Sequence, residues 1–275
     1  MSTSKLKNTI LNEDCVTGLA KLDENSIDLV VTSPPYDGLR DYKGFTFEFP
    51  KIVKGLYRVL KQGGVVVWVV ADATIKGSET GTSFKQALGF LEEGFNLHDT
   101  MIFRKKNPIP QIYRKRYNNE FEYMFVFSKG VVATHNSIMI PCLHAGLELG
   151  STTYKNYSKK EQTRTKMANP VKAEKVKGNV WEYVVGKNKE DQEAKDHPAP
   201  FPAQLARDHI ISWSNVGDTV LDPMCGSGTT LRVAKELDRN YIGMDISEEY
   251  CKIAQRRVAN ADAISNSDTP QKSLI

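Results

Sequence analysis

TVLDPMCGSGTT, Thr219 to Thr230, reads as a strand, a tight turn and the start of a helix. Thr219, Val220 and Leu221 form a short β-rich run that stops at Asp222. Gly226 and Gly228 then allow a sharp reversal, and helical apolar spacing runs from Thr229 to Leu237. Glycines let the backbone approach a ligand where a Cβ would clash, and a helix start offers unpaired N–H groups. The next strand, Tyr241 to Met244, ends at Asp245, about one βαβ unit beyond Asp222. A carboxylate at that position is placed to accept hydrogen bonds from the hydroxyls of a ribose. The loop lacks the Lys-Ser/Thr ending of a phosphate-binding NTPase loop, and it is Gly-x-Gly, not Gly-x-Gly-x-x-Gly.

Outward from this unit the chain alternates strand and helix. Ile27 to Thr32 is a β-rich run ending in a turn, and Phe47 to Leu60 carries apolar residues on one helical face at Phe49, Ile52, Val53, Leu56 and Leu60. GVVVWVVAD, Gly64 to Asp72, is a continuous apolar run of the kind buried on both faces of a parallel sheet. A helix is expected near Phe84 to Leu91, then strands over His98 to Phe103 and Phe121 to Phe127, and a helix over Gln204 to Trp213 before the Thr219 strand. A last helix starts at Glu248. This order predicts a doubly wound α/β sheet with helices on both faces.

The chain has 275 residues, of which 40% are hydrophobic and 25% charged. That is soluble-globular composition, and a chain of this length buries roughly 75% of its unfolded surface without staples. The longest apolar run, Val65 to Ala71, is far short of the roughly 20 residues a membrane helix needs. MSTSKLKNTILNEDC has no apolar segment at its start and does not read as a signal peptide. Cys15, Cys142, Cys225 and Cys251 form no C-x-x-C pair, which excludes a zinc ribbon and points to a reducing cytoplasm; no metal site is assigned.

The net charge of +4 is mild, so its distribution matters more. RKKNPIPQIYRKR, Arg104 to Arg116, holds six basic residues and no acid. Ser151 to Lys195 holds eleven Lys or Arg against six Asp or Glu, interleaved with Tyr154, Tyr157, Trp181 and Tyr183. Such a segment reads as a solvated loop or, with those aromatics, as a module that touches a polyanion.

Two further readings concern chemistry. Asp222 at a strand end repels a pyrophosphate and suits a cation, such as an α-amino group or a sulfonium. A ribose, an ammonium and a carboxylate together describe S-adenosylmethionine. After the strand Ile27 to Val31 comes Thr32-Ser33-Pro34-Pro35-Tyr36. Two prolines fix φ and remove two donors, leaving the carbonyls of Ser33 and Pro34 as rigid acceptors. Ser33 adds a side-chain oxygen and Tyr36 a flat face. Two acceptors beside a stacking surface suit a planar group bearing an –NH₂.

The pair of Ser33-Pro34-Pro35-Tyr36 and Asp222-Pro223-Met224-Cys225-Gly226-Ser227-Gly228-Thr229 resembles the exocyclic-amino DNA methyltransferases. Their order, catalytic motif first, variable insert next and cofactor motif last, is similar to the β arrangement of that family. The resemblance covers roughly residues 8–128 and 196–260. It implies a Rossmann-like S-adenosylmethionine-dependent methyltransferase sheet carrying a basic target-recognition insert. The catalytic half would span 1–130, the insert 131–195 and the cofactor half 196–260, followed by a polar tail over 261–275. His197-Pro-Ala-Pro-Phe201-Pro202 is similar to the family's segment around the methionine end of the cofactor. Asn12-Glu-Asp14-Cys15 sits where the family has a short acidic motif on the adenine ring, with Glu13 replacing the usual glycine.

The family makes N4-methylcytosine or N6-methyladenine. Ser33 leans toward cytosine N4, because adenine-modifying members more often have Asp or Asn there; the two bases nevertheless present the same amidine edge. The resemblance implies that Ser33 Oγ and the Pro34 carbonyl accept the amino protons and turn the nitrogen lone pair toward the methyl group. The base is flipped out and stacks on Tyr36, and no cysteine acts as nucleophile. Double-stranded DNA would be held by Arg104, Lys105, Lys106, Arg114, Lys115, Arg116 and the insert. A cognate restriction endonuclease and a monomer or homodimer are compatible with it. Rival readings are an RNA or protein amide methyltransferase and a DNA-binding module without catalysis.

Overall fold

Six consecutive residues, Val65 to Val70, are each at most 1% exposed, as an apolar run covered on both faces requires. They lie at the centre of a computed structural model that describes residues 2–35, 47–108, 110, 115–143, 145–146, 153–155, 164–166, 171–186 and 202–261. The first half of the chain forms α1 (Thr3–Leu6), β1 (Thr9–Asn12), α2 (Cys15–Ala20), β2 (Ile27–Thr32), α3 (Phe49–Val59) and β3 (Leu60–Val70). A small hairpin, β4 (Thr74–Ile75) and β5 (Ser78–Glu79), leads into α4 (Thr82–Glu93), β6 (Asn96–Lys105) and β7 (Phe121–Ser128). Then come β8 (Met139–Pro141), β9 (Thr153–Lys155), β10 (Arg164–Lys166), β11 (Glu174–Val176) and β12 (Val180–Tyr183). The chain continues with α5 (Ala203–Trp213), β13 (Thr219–Asp222), α6 (Thr229–Glu236), β14 (Asn240–Asp245) and α7 (Glu248–Ala259).

Eight strands form one sheet in the order β1-β14-β13-β2-β3-β7-β6-β12. All neighbours are parallel except at β7, which runs antiparallel to both β3 and β6. The chain winds outward in two directions from the centre: β2 to β3 through α3, and β13 to β14 through α6. The order reverses between β13 and β2, and the crevice beyond their carboxyl ends is where open α/β sheets hold ligands.

Helices cover both faces. On one, α2, α3 and α4 adjoin one another, and their Leu19, Ile52, Val53, Leu56 and Phe90 bury Val66, Trp68 and Val70 of β3. Phe90 stacks on Phe127 at 4.2 Å and meets Trp68 edge-on at 5.1 Å, while Trp68 Nε1 donates to Gln86 Oε1 at 2.8 Å. On the other face α5, α6 and α7 adjoin one another, with α5 over β2 and β3 and α6 over β13 and β14. Among the described residues no helix is long and apolar enough to cross a membrane.

The described residues up to Asn136 and from Asn179 onward form one compact unit, and those from Ser137 to Gly178 form a second. In the second, β8 pairs with β11 and β9 with β10, both antiparallel. This unit is narrower than the insert expected over 131–195. Asn136 is tied to α5, its amide donating to Ile211 O at 3.0 Å and to Ser214 O at 3.2 Å. At the other end β12 joins the main sheet beside β6. Trp181 and Tyr183, expected among aromatics available to a polyanion, are instead 5% and 6% exposed. Trp181 lies against His209 and Tyr183 donates to Asp208 Oδ2 at 2.7 Å. Their alternation with Val180 and Glu182 is that of a strand with one buried face. Tyr154 lies in β9, with its side chain outside the described residues, as is all of Tyr157.

Candidate active site

Two loops leave the carboxyl ends of adjacent strands at the order reversal. β2 and β13 run side by side with Val220 opposite Leu29 and Leu221 opposite Val30, so Thr32 and Asp222 end them together. Thr32 Oγ1 donates to Asp222 Oδ1 at 2.8 Å, and Thr230 Oγ1 donates to the Val31 carbonyl at 3.2 Å. The Ser33-Pro34-Pro35 loop and the 223–228 turn, some 190 residues apart in sequence, therefore meet at one crevice. Pro34 is buried and Ser33 and Pro35 are half-buried. Tyr36, the last residue of the motif, lies outside the described residues, as do Arg114 and Phe201.

Asp222 is 2% exposed, and burial pushes its carboxyl from an ordinary value near 3.8 up to about 6, against the pull of hydrogen bonds from Thr32 and the Met224 amide. Those two partners are neutral, so the carboxylate enters the crevice with its charge uncompensated by either. Such a group fits a cationic ligand atom.

Downstream, the turn is held from three sides. The Cys225 amide donates to Met244 O at 2.9 Å. The Gly226 amide donates to Asp245 Oδ2 at 2.9 Å and the Ser247 amide to Asp245 Oδ1 at 2.8 Å. Asp245 thus bridges the turn and the start of α7, and burial raises its carboxyl above the usual range. Gly228 caps α6 at φ +78°, and a Cβ there would stand 2.7 Å from the Ala254 Cβ of α7. Its glycine is required by backbone conformation and by helix packing together.

The third support is Arg257 of α7, which the sequence reading missed. It is 3% exposed, and its Nη1 donates to Ser227 O at 2.6 Å, to Ser227 Oγ at 2.9 Å and to Thr229 Oγ1 at 3.3 Å. Ser227 and Thr229, expected to face the cofactor, make these contacts inward. A lone arginine on an amphipathic helix gives no sequence signal of such a role. Thr32 was passed over for a similar reason, since a threonine ending a β-rich run is ordinary.

Asn12 and Asp14 reach the same end of the sheet from β1, with Asn12 opposite Asp245 in the β1–β14 pairing. Asn12 Nδ2 donates to Asp245 O at 3.0 Å. The Asp14 carboxylate caps α2, accepting from the Val16 amide at 2.9 Å and the Thr17 amide at 3.4 Å. Cys15 behind it is buried, with its thiol pushed up to about 12, chiefly by desolvation. Burial also raises the thiols of Cys225 and Cys251, the latter to about 11, so all three are protonated at neutral pH and are not poised as nucleophiles. Pro223 is buried and Met224 half-buried against the core, and Pro202 caps α5.

The basic segment is less positive in space than in sequence. Arg104 lies 3.0 Å from Glu182 and 3.8 Å from Glu120, Lys105 lies 2.9 Å from Glu122, and Arg116 pairs with Glu79 at 3.3 Å. Lys106 and Lys115 are exposed.

Arrangement and fold are those of the S-adenosylmethionine-dependent methyltransferases. The PvuII DNA methyltransferase (cytosine-N4-specific) superposes with a TM-score of 0.68 at 22% identity, over 90% of this chain and 85% of that one. A DNA modification methylase from Thermus thermophilus, solved in complex with S-adenosyl-L-methionine, gives a TM-score of 0.62 at 24% identity, over 94% and 97%. In sequence, the orphan methyltransferase M.BamHII of Bacillus amyloliquefaciens is 50% identical over 240 residues, 86% of this chain and 89% of that protein. The DNA adenine methyltransferase YhdJ of Escherichia coli is 26% identical over 262 residues, 91% and 82%. The model of the N6/N4 DNA methylase family matches residues 27–256, and the chain belongs to that family.

Proposed function

We propose that this DNA methyltransferase moves a methyl group from S-adenosylmethionine to the N4 amino group of cytosine in double-stranded DNA. The observation that carries the reading is the Thr32–Asp222 hydrogen bond of 2.8 Å, which joins a rigid Ser-Pro-Pro acceptor loop to a buried carboxylate suited to a cation. In this assignment Asp222 holds the α-ammonium of the cofactor and Asp245 its ribose hydroxyls, with Asp14, Cys15, Phe201, Pro202 and the 223–229 turn around them. The cofactor supplies an electrophilic methyl on a sulfonium. The chain's part is orientation. Ser33 Oγ and the Pro34 carbonyl each accept one amino N–H, which frees the nitrogen lone pair from the ring and aims it. Pro35 fixes the loop, and Tyr36 offers the face on which a flipped base stacks.

Ser33 supports cytosine, and the likeness to the cytosine-N4-specific PvuII enzyme is in keeping with it. The sequence likeness to an adenine methyltransferase supports adenine N6 as the second reading. The test is to methylate duplex DNA with labelled cofactor, digest it to nucleosides and identify the product by mass. N4-methylcytosine is expected. N6-methyladenine would overturn the choice of base, and label found only in RNA or protein would overturn the substrate.

A further inference from the structure

Helix α4 turns Ser83, Gln86, Ala87 and Phe90 into the core and leaves an apolar stripe facing out. Phe84, Leu88 and Leu91 are 54%, 58% and 41% exposed. At about 100° per residue the three fall within roughly 60° of one another around the helix axis. Lys85 and Glu92, both exposed, form a second row beside them, within about 20° of each other. The patch continues onto β7: Phe84 meets Tyr123 edge-on at 5.6 Å, and Tyr123 meets the half-exposed Phe121 at 5.3 Å. Scattered exposed leucines are ordinary, but a contiguous aromatic and aliphatic strip marks an interaction surface.

We propose that this face of α4 docks on the same face of a second copy of the chain, with the two helices antiparallel across a two-fold axis beside Leu88. The choice of occupant and direction follows from the two rows. Such an axis reverses the helix direction but leaves each row on its own side of the contact. Phe84 then packs over Leu91 of the partner subunit, and Lys85 stands beside Glu92 of the partner subunit, each contact occurring twice. A parallel pairing would lay the charged row of one copy on the apolar row of the other and bury charge without a partner. Only the antiparallel arrangement satisfies both rows. A twelve-residue helix is about 18 Å long. Its strip is smaller than the ~800 Å² per partner of a standard interface, so the dimer dissociates on dilution.

The test is sedimentation equilibrium on the full chain without DNA, over a range of concentrations. Wild type is expected to dimerise reversibly. Lys85→Glu alone and Glu92→Lys alone each set like charges at both crossings and weaken association about tenfold. An equimolar mixture of the two variants recovers association, because a mixed dimer again pairs opposite charges at both crossings. Thermal melting confirms that both surface variants fold. A wild type monomeric throughout, a dimer indifferent to either reversal, or a mixture no better than its components would each overturn the proposal.

Discussion

Replacing Asp222 by Asn removes a carboxylate that the fold keeps at 2% exposure with neutral hydrogen-bond partners. Its acid is raised from 3.8 to about 6, a difference of roughly two units, or about 3 kcal/mol at about 1.4 kcal/mol per unit. Between those two values the folded state binds the proton more tightly than the unfolded chain. Stability therefore falls as pH rises through this window, and above pH 6 the full cost is in force. An asparagine cannot ionise, and its Oδ1 can still accept from Thr32 and the Met224 amide. Its new N–H₂ group needs partners, so the expected gain at pH 7.5 is about 1–3 kcal/mol, a rise in Tm of about 5 °C. At pH 5 the advantage should shrink to about half. Cofactor affinity should move the other way, by about ten- to a hundredfold, through loss of a charge-assisted contact to an ammonium. Melting at pH 5 and 7.5 and calorimetric titration with S-adenosylmethionine measure the two effects. A variant no more stable than wild type at either pH would refute the desolvation argument. Unchanged affinity would refute the placement of the cation.

Thr32→Val deletes the hydrogen bond to Asp222 while keeping shape, so it should cost about 1 kcal/mol and move the pH midpoint of cofactor binding upward. An unmoved midpoint would show that the two strand ends are not coupled. Arg257→Met leaves the buried Ser227 carbonyl and two hydroxyls short of a donor; a loss of about 3 kcal/mol in denaturant unfolding and weaker cofactor binding are expected. DNA affinity should fall with salt by about 0.9 log unit per log unit of salt for each phosphate neutralised. Since Arg104, Lys105 and Arg116 are paired with acids, Lys106→Ala and Lys115→Ala should lower that slope more than Arg104→Ala does.

Legibility in the sequence followed burial. Val65 to Val70 announced a central strand because nothing polar interrupts it, and the glycine turn with Asp245 downstream announced a βαβ unit. The two loops could be read as one site because each follows a strand end, and parallel strands carry their ligands at that end. β1 and β12 stayed hidden for the opposite reason. Thr9–Asn12 has no buried residue, and Val180–Tyr183 buries only alternate side chains, so neither shows an apolar run. The antiparallel direction of β7 was equally silent, being a property of its connection and not of Phe121 to Ser128 themselves. Charge misled where sequence neighbours and spatial neighbours differ. The basic run from Arg104 has no acid within it, yet β7 brings Glu122 to Lys105 and β12 brings Glu182 to Arg104.

The order of the motifs along the chain poses a topological question that the sheet answers. The catalytic loop comes early and the cofactor turn late, with the narrow second unit between them. After β12 has closed one edge of the sheet, α5 packs over β2 and β3, and β13 then enters beside β2. Entry there, and not at the free edge beyond β12, is what sets Asp222 against Thr32. Once β13 is in place, α6 carries the chain to β14, whose other side is taken by β1 from the very start of the chain. Asn12 and Asp245 thereby become neighbours although they come from opposite ends of the sequence. The cofactor turn is consequently framed by early segments on both sides, β2 at one and β1 with β14 at the other. A chain cut between β12 and α5 should therefore fail to give two folded halves: the early half would expose Leu29 and Val30 where β13 belongs, and the late half would lack both flanking strands. Co-expression of residues 1–186 and 187–275 as separate chains is expected to yield soluble protein only as a complex, and stable isolated halves would contradict this account of how the site is assembled.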